Sequence, residues 1–167
     1  EIERRADLRG PAQARGHECV LVQGSGTFAV ESALGSIVPR DGKLLACVNG
    51  AYGERIAKMA AVYGIPCEVL RAREDTPIDP RAVEAALARD RALTHVALVH
   101  VETTSGVLNP MRAVGEVVHA AGRAYFVDAM SAFGALPIEF DAAHVDFLAA
   151  SANKCLEGVP GFGFVLA

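Results

Sequence analysis

Lysine is scarce in this sequence: Lys43, Lys58 and Lys154 stand against thirteen arginines, so each of the three is less readily explained as surface filler. Basic clusters are also missing, and the net charge is −4, which excludes a nucleic-acid backbone as the partner. No apolar run approaches the ~20 residues that carry a helix across a bilayer, so a membrane-integral protein is not expected. There are no repeats, linkers or low-complexity stretches, and a 51% hydrophobic composition excludes intrinsic disorder. Cys19, Cys47, Cys67 and Cys155 form no Cys-x-x-Cys pair, and no His lies at zinc-ligand spacing from them. A structural metal is therefore not expected; four reduced thiols, most of them small buried hydrophobes, suit a cytoplasmic protein. With 167 residues the chain suffices for one domain. It starts on Glu1 without a targeting segment and stops inside the apolar run 161–167, which leads us to expect a piece of a longer protein.

What is present alternates. Strands are expected over residues 19–22, 43–48, 67–70, 94–101, 124–128 and 145–150, with a further apolar strand from Gly161. Helices are expected between them. One runs over 27–38 and stops at Pro39, and a second runs over 52–63 and is closed by Gly64 and Pro66. Asp79-Pro80 opens a third as N-cap and first helical residue, and Gly122 closes a fourth over 111–121. Residues 1–15, rich in Arg and Glu, read as the end of another helix. Run 94–101 is apolar throughout, as a strand buried on both faces requires. The expectation is an α/β fold of three layers, a largely parallel sheet with flanking helices.

Ligands of open α/β sheets bind outside the carboxyl ends of the strands. Five of the expected strands end there in polar or glycine-rich turns: Gln23-Gly-Ser-Gly-Thr27, Asn49-Gly-Ala-Tyr-Gly53, Glu102-Thr-Thr-Ser-Gly106, Asp128 with Ser131, and Ser151-Ala-Asn-Lys154. Gly24-Ser-Gly-Thr27 opens a helix with two glycines and two hydroxyls, a cradle suited to a phosphate. It is neither a Walker A loop nor GxGxxG, since Ala29 stands where the last glycine would be. Asp128 ends an apolar strand and needs a cation or several hydrogen bonds; a structural ion pair would also satisfy it. Lys154 follows a buried strand, where an amine readily becomes a nucleophile toward aldehydes, while an exposed loop lysine is the plain alternative. Together, phosphate cradle, lysine and carboxylate are the protein groups that pyridoxal phosphate needs.

At these residues the sequence resembles the class V, fold type I pyridoxal-phosphate aminotransferases. Five stretches carry the resemblance: Gln23 to Phe28, Asn49 to Arg55, His100 to Pro110, Val127 to Ser131 and Ser151 to Gly163. The last of these is most like the branch that handles aminoalkylphosphonates. The resemblance implies that Lys154 holds the cofactor covalently and that Asp128 pairs with its ring nitrogen. It further implies that Ser25, Gly26 and Thr27 hold the phosphate, that Tyr52 stacks on the ring, that Thr103 lies near the ring oxygen, and that Asn153 assists phosphate or substrate binding. The substrates implied are a small-molecule amino donor and a 2-oxo acid. A homodimer is also implied, with residues 1–167 forming part of the large cofactor domain and with an N-terminal segment and a C-terminal small domain outside them. Two other readings stand beside this one: an aminotransferase of the alanine–glyoxylate or serine–pyruvate type, and a non-catalytic α/β binding or partner domain.

Overall fold

The computed structural model describes residues 17–167. The helix expected over the first fifteen residues lies outside the described residues. Thirteen elements follow in chain order. They are β1 (Cys19–Gly24), α1 (Gly26–Ile37), β2 (Leu44–Val48), α2 (Ala51–Val62), β3 (Cys67–Arg71), α3 (Pro80–Arg89), β4 (His95–Val99), β5 (Val101–Glu102), β6 (Val107–Leu108), α4 (Met111–Ala120), β7 (Ala124–Asp128), β8 (Phe147–Ser151) and β9 (Gly161–Leu166).

Seven of the strands form one sheet in the order β1-β9-β8-β7-β4-β2-β3. β8, β7, β4, β2 and β3 run parallel, and β9 is antiparallel to both β8 and β1. β1 thus points the same way as the parallel set, and of these seven β9 alone is reversed. Alternation along the central strands splits the core into two layers. Leu44, Ala46 and Val48 pack with α1 and α2, while Leu45 and Cys47 face α3 and α4. β4 and β7 follow the same rule, Ala97, Val99 and Phe126 on the first side, Val96, Leu98, Tyr125 and Val127 on the second. This is the three-layer α/β arrangement expected from the sequence.

The helix starts are locally encoded. Ser25 caps α1 by accepting from Phe28 N, and Asp79 caps α3 with Pro80 behind it. α2 differs, because Gly50 at its N-cap has no side chain to offer. The carboxylate of Glu102 takes its place, accepting from Tyr52 N and Gly53 N at 3.2 Å. A Cβ on residue 50 would collide with Glu102 Cγ, so glycine is required by close approach.

One expected strand is corrected. The apolar run 94–101 is not continuous: β4 ends at Val99, and Val101 belongs to a separate hairpin with Leu108. His100 is the break, giving its N–H to Asp128 O and its carbonyl to Asn109 N, both at 2.8 Å. Val101 still packs against the core, so the hydrophobic pattern ran on where the hydrogen bonding did not. Among the described residues no helix is long and apolar enough to cross a membrane.

Candidate active site

Because six strands share a direction, their carboxyl ends gather at one edge of the sheet, and β9, running the other way, begins there. A cleft of about 320 Å³ opens at this edge. Seven of the eight residues singled out from the sequence line it: Ser25, Gly26, Thr27, Tyr52, Thr103, Asn153 and Lys154. The eighth, Asp128, lines an adjoining recess that shares Thr27, Tyr52, Arg55 and Met130 with the cleft.

Each wall has a local cause. The Ser25 hydroxyl oxygen accepts from Phe28 N as the α1 cap, so the free donors at this helix start are its own O–H and the backbone N–H groups of Gly26 and Thr27, which no intrahelical carbonyl can reach. Gly26 lies so close to Met130 and Ser151 that a Cβ would stand 2.5 Å from Met130 Sδ. That approach brings the N-terminus of α1 against the ends of β7 and β8. Thr103 Oγ1 and Ser131 Oγ are 2.6 Å apart, joining the β5–β6 hairpin to the segment after β7. Lys154 and Asn153 are exposed in the turn after β8. The other two lysines are elsewhere: Lys43 Nζ donates to Asp90 at 2.6 Å, and Lys58 is exposed on α2.

Asp128 is 4% exposed, and one of its oxygens accepts from Met130 N at 3.0 Å. Burial pushes its carboxyl up to about 6, and nearby Glu102 adds to the rise; Met130 N, Arg55 and Lys154 pull it down. No ion pair reaches it among the described residues. A buried carboxylate without a direct cation, at the floor of a cleft, is suited to pairing with a cationic ligand.

Sequence reasoning assigned no role to Arg55, Glu102, Met130 or Ser131. Arg55 lines both cleft and recess, and its Nη1 donates to Thr27 Oγ1 at 3.0 Å. Its position three residues after Tyr52, hence on the same helix face, was the available signal. A larger cleft of about 870 Å³, lined by His100, Met111 and Arg112 among others, contains none of the eight residues.

Lysine, carboxylate and helix N-terminus thus meet at one edge of a three-layer α/β sheet, the fold that the solved aminotransferases below share. The sequence profile described as Aminotransferase class-V matches residues 3–167, and the chain belongs to that family. It is 52% identical over 151 residues to a 2-aminoethylphosphonate–pyruvate transaminase of Pseudomonas putida, covering 90% of this chain and 41% of the relative. It is 56% identical over 149 residues to one from Burkholderia thailandensis, covering 89% and 40%. Among solved structures, pyridoxamine–pyruvate aminotransferase from Mesorhizobium loti superposes with a TM-score of 0.85 at 28% identity, covering 98% of this chain and 42% of that one. An alanine–glyoxylate aminotransferase from Nostoc gives 0.83 at 30% identity, covering 89% and 39%. The chain thus spans about two fifths of the length of the curated relatives it matches.

Proposed function

We propose that this chain is the core of the cofactor domain of a pyridoxal-phosphate aminotransferase that moves the amino group of 2-aminoethylphosphonate to pyruvate. The observation that carries the reading is the meeting of Lys154, the α1 N-terminus and the buried carboxylate of Asp128 around one cleft and its recess. The names of the relatives above half identity support the choice of donor and acceptor.

The donor set fits the cofactor. The free N–H groups at the start of α1, with the hydroxyls of Ser25 and Thr27, suit a phosphate. Tyr52 offers an aromatic face, and Asp128 a carboxylate for a protonated ring nitrogen. When bound, the cofactor supplies an aldehyde carbon for amines and a ring that takes up the electron pair left when the donor carbon loses its proton. Lys154 supplies the amine that holds that aldehyde carbon. Its Nζ would serve as the base that takes the proton from the donor carbon and returns it. Asp128 keeps the proton on the ring nitrogen, since an ionised carboxylate buried this deeply is stable beside a cation and costly without one. Thr103, anchored to Ser131, and Asn153 orient the bound molecule through hydrogen bonds. The donor leaves as phosphonoacetaldehyde, and pyruvate leaves as alanine. The reading extends to a cytoplasmic homodimer in which an N-terminal segment and a small C-terminal domain complete each subunit.

The test uses the full-length protein. Alanine should form from pyruvate when 2-aminoethylphosphonate is the donor, and borohydride reduction should leave a pyridoxyl group on Lys154 in peptide maps. The likeness to the Nostoc enzyme favours one second reading, alanine–glyoxylate transamination. Turnover of alanine with glyoxylate, and none of the phosphonate, would select it. A protein that takes up no reducible cofactor and loses nothing on Lys154→Ala would be a binding domain instead.

A further inference from the structure

Arg55 is a cation whose role the proposed chemistry leaves open. Its neighbour Glu54 pairs with Arg71, and among the described residues no carboxylate forms an ion pair with Arg55. Its guanidinium instead joins two helices. Nη1 donates to Thr27 Oγ1 on α1 at 3.0 Å, and Cζ lies 4.7 Å from the ring centroid of Tyr52 on α2. Both partners line the cleft, as Arg55 itself does.

The direction of the hydrogen bond matters. Arginine has only donors, so Thr27 Oγ1 must be the acceptor, and its own O–H is left to donate elsewhere. A threonine hydroxyl near a helix start otherwise readily turns back to a local carbonyl. The guanidinium also occupies one face of the Tyr52 ring by a cation–π contact, which leaves the other face for a planar ligand. The cradle at α1 is otherwise neutral: its first turn carries no acidic residue, and its donors are backbone N–H groups and hydroxyls. Apart from Lys154, Arg55 is the only lysine or arginine among the described residues that line this cleft.

We infer that Arg55 is a positioning residue for the cofactor phosphate, holding the Thr27 hydroxyl as a donor toward the anion and fixing the ring of Tyr52 beside it. The inference rests on the cofactor reading above. It deepens that reading by placing the positive charge of the phosphate site on α2, outside the glycine-rich turn.

The test compares two aldehydes on the cofactor-free full-length protein, pyridoxal phosphate and pyridoxal, with dissociation constants read from absorbance titration. Arg55→Met should weaken pyridoxal phosphate about ten- to a hundredfold, the range of a lost charge-assisted contact, and pyridoxal far less. Arg55→Lys should recover only part of the loss, because a point charge on a flexible stem cannot cover the ring and bond Thr27 together. Thr27→Val should weaken pyridoxal phosphate and Thr27→Ser should not, and Arg55→Met should cost less in the Thr27→Val background than alone. Thermal unfolding of the cofactor-free variants should match the unaltered protein.

Equal losses for both aldehydes, or a fall in unfolding temperature of the cofactor-free Arg55→Met protein, would mark a structural role and overturn the inference. So would tighter binding in Arg55→Met, which would mean that the side chain merely fills the empty cleft. If the unaltered protein binds neither aldehyde, the cofactor reading falls along with it. If it binds both and Arg55→Met binds them equally well, only the Arg55 inference falls.

Discussion

Asp128 is where burial and chemistry meet most directly. An ordinary aspartate titrates at 3.8; here burial raises the carboxyl to about 6. Between those values the folded chain binds more protons than the unfolded one, so stability of the cofactor-free protein falls as pH rises from about 4 to about 6. The full difference is on the order of 3 kcal/mol and is lost above that window. Asp128→Asn carries no charge to desolvate, so this slope should vanish and the cofactor-free protein should be the more stable variant at pH 7. Urea unfolding of both proteins at pH 4.5 and pH 7 measures it; an unchanged slope would remove Asp128 as the cause. The same substitution should lower transamination by roughly a hundredfold or more, because an amide cannot stabilise a proton on the ring nitrogen. A residue that costs stability in the empty protein and supports turnover in the loaded one behaves as a site residue, and an ion-paired structural aspartate would show neither effect.

At the scale of elements, the start of α2 is held from a distance. Glu102 comes from the hairpin after β4, is fully buried, and satisfies the N–H groups of Tyr52 and Gly53 as well as the Thr104 hydroxyl. Its negative charge also complements the helix N-terminus. Glu102→Ala should cost about 2–3 kcal/mol by leaving buried donors unpaired, and Gly50→Ala a similar amount by forcing a Cβ onto the Glu102 side chain. The double variant should cost less than the sum, since removing the carboxylate opens the space that the added methyl group needs. Denaturant unfolding of the four proteins gives the coupling directly, and strict additivity would contradict the contact. Because Tyr52 lies in this first turn, both single variants should also weaken cofactor binding. Ser25 and Asp79 cap their helices within three residues, and alternation in β2, β4 and β7 announces a two-faced core, so helix starts and sheet were legible locally. That Asp128 and Lys154 lie at the carboxyl edge of the sheet was legible because Asp128 ends and Lys154 follows expected strands of one direction. Glu102 and the helix start it caps are about fifty residues apart in sequence and share no local pattern. The break at His100 was hidden for the opposite reason: the local pattern was continuous while the hydrogen bonds changed partner.

For the molecule as a whole, charge decides how much of the reaction these residues can perform. The proposed cofactor brings a phosphate, the proposed donor a phosphonate, and the acceptor a carboxylate. Against these anions the described residues of the cleft present two lysine or arginine side chains, Lys154 and Arg55. On the proposed reading Lys154 is committed to holding the aldehyde carbon and moving a proton, while Arg55 is tied to Thr27 and Tyr52. Among the described residues no arginine or lysine of this cleft is left to bind a substrate anion, and an anion in a cleft without a matching cation or donor set is poorly held. On the proposed reading, we expect that cation from elsewhere in the full-length protein; the chain matches only about two fifths of the relatives' length. The 167-residue chain by itself is therefore expected to form no alanine from pyruvate with 2-aminoethylphosphonate at any practical donor concentration, while the full-length protein does so. A coupled assay for alanine on the two polypeptides, with circular dichroism confirming that the shorter one is folded, separates the cases. Turnover by the folded 167-residue chain with a donor KM near that of the full-length protein would show that Arg55 or Lys154 binds the phosphonate after all.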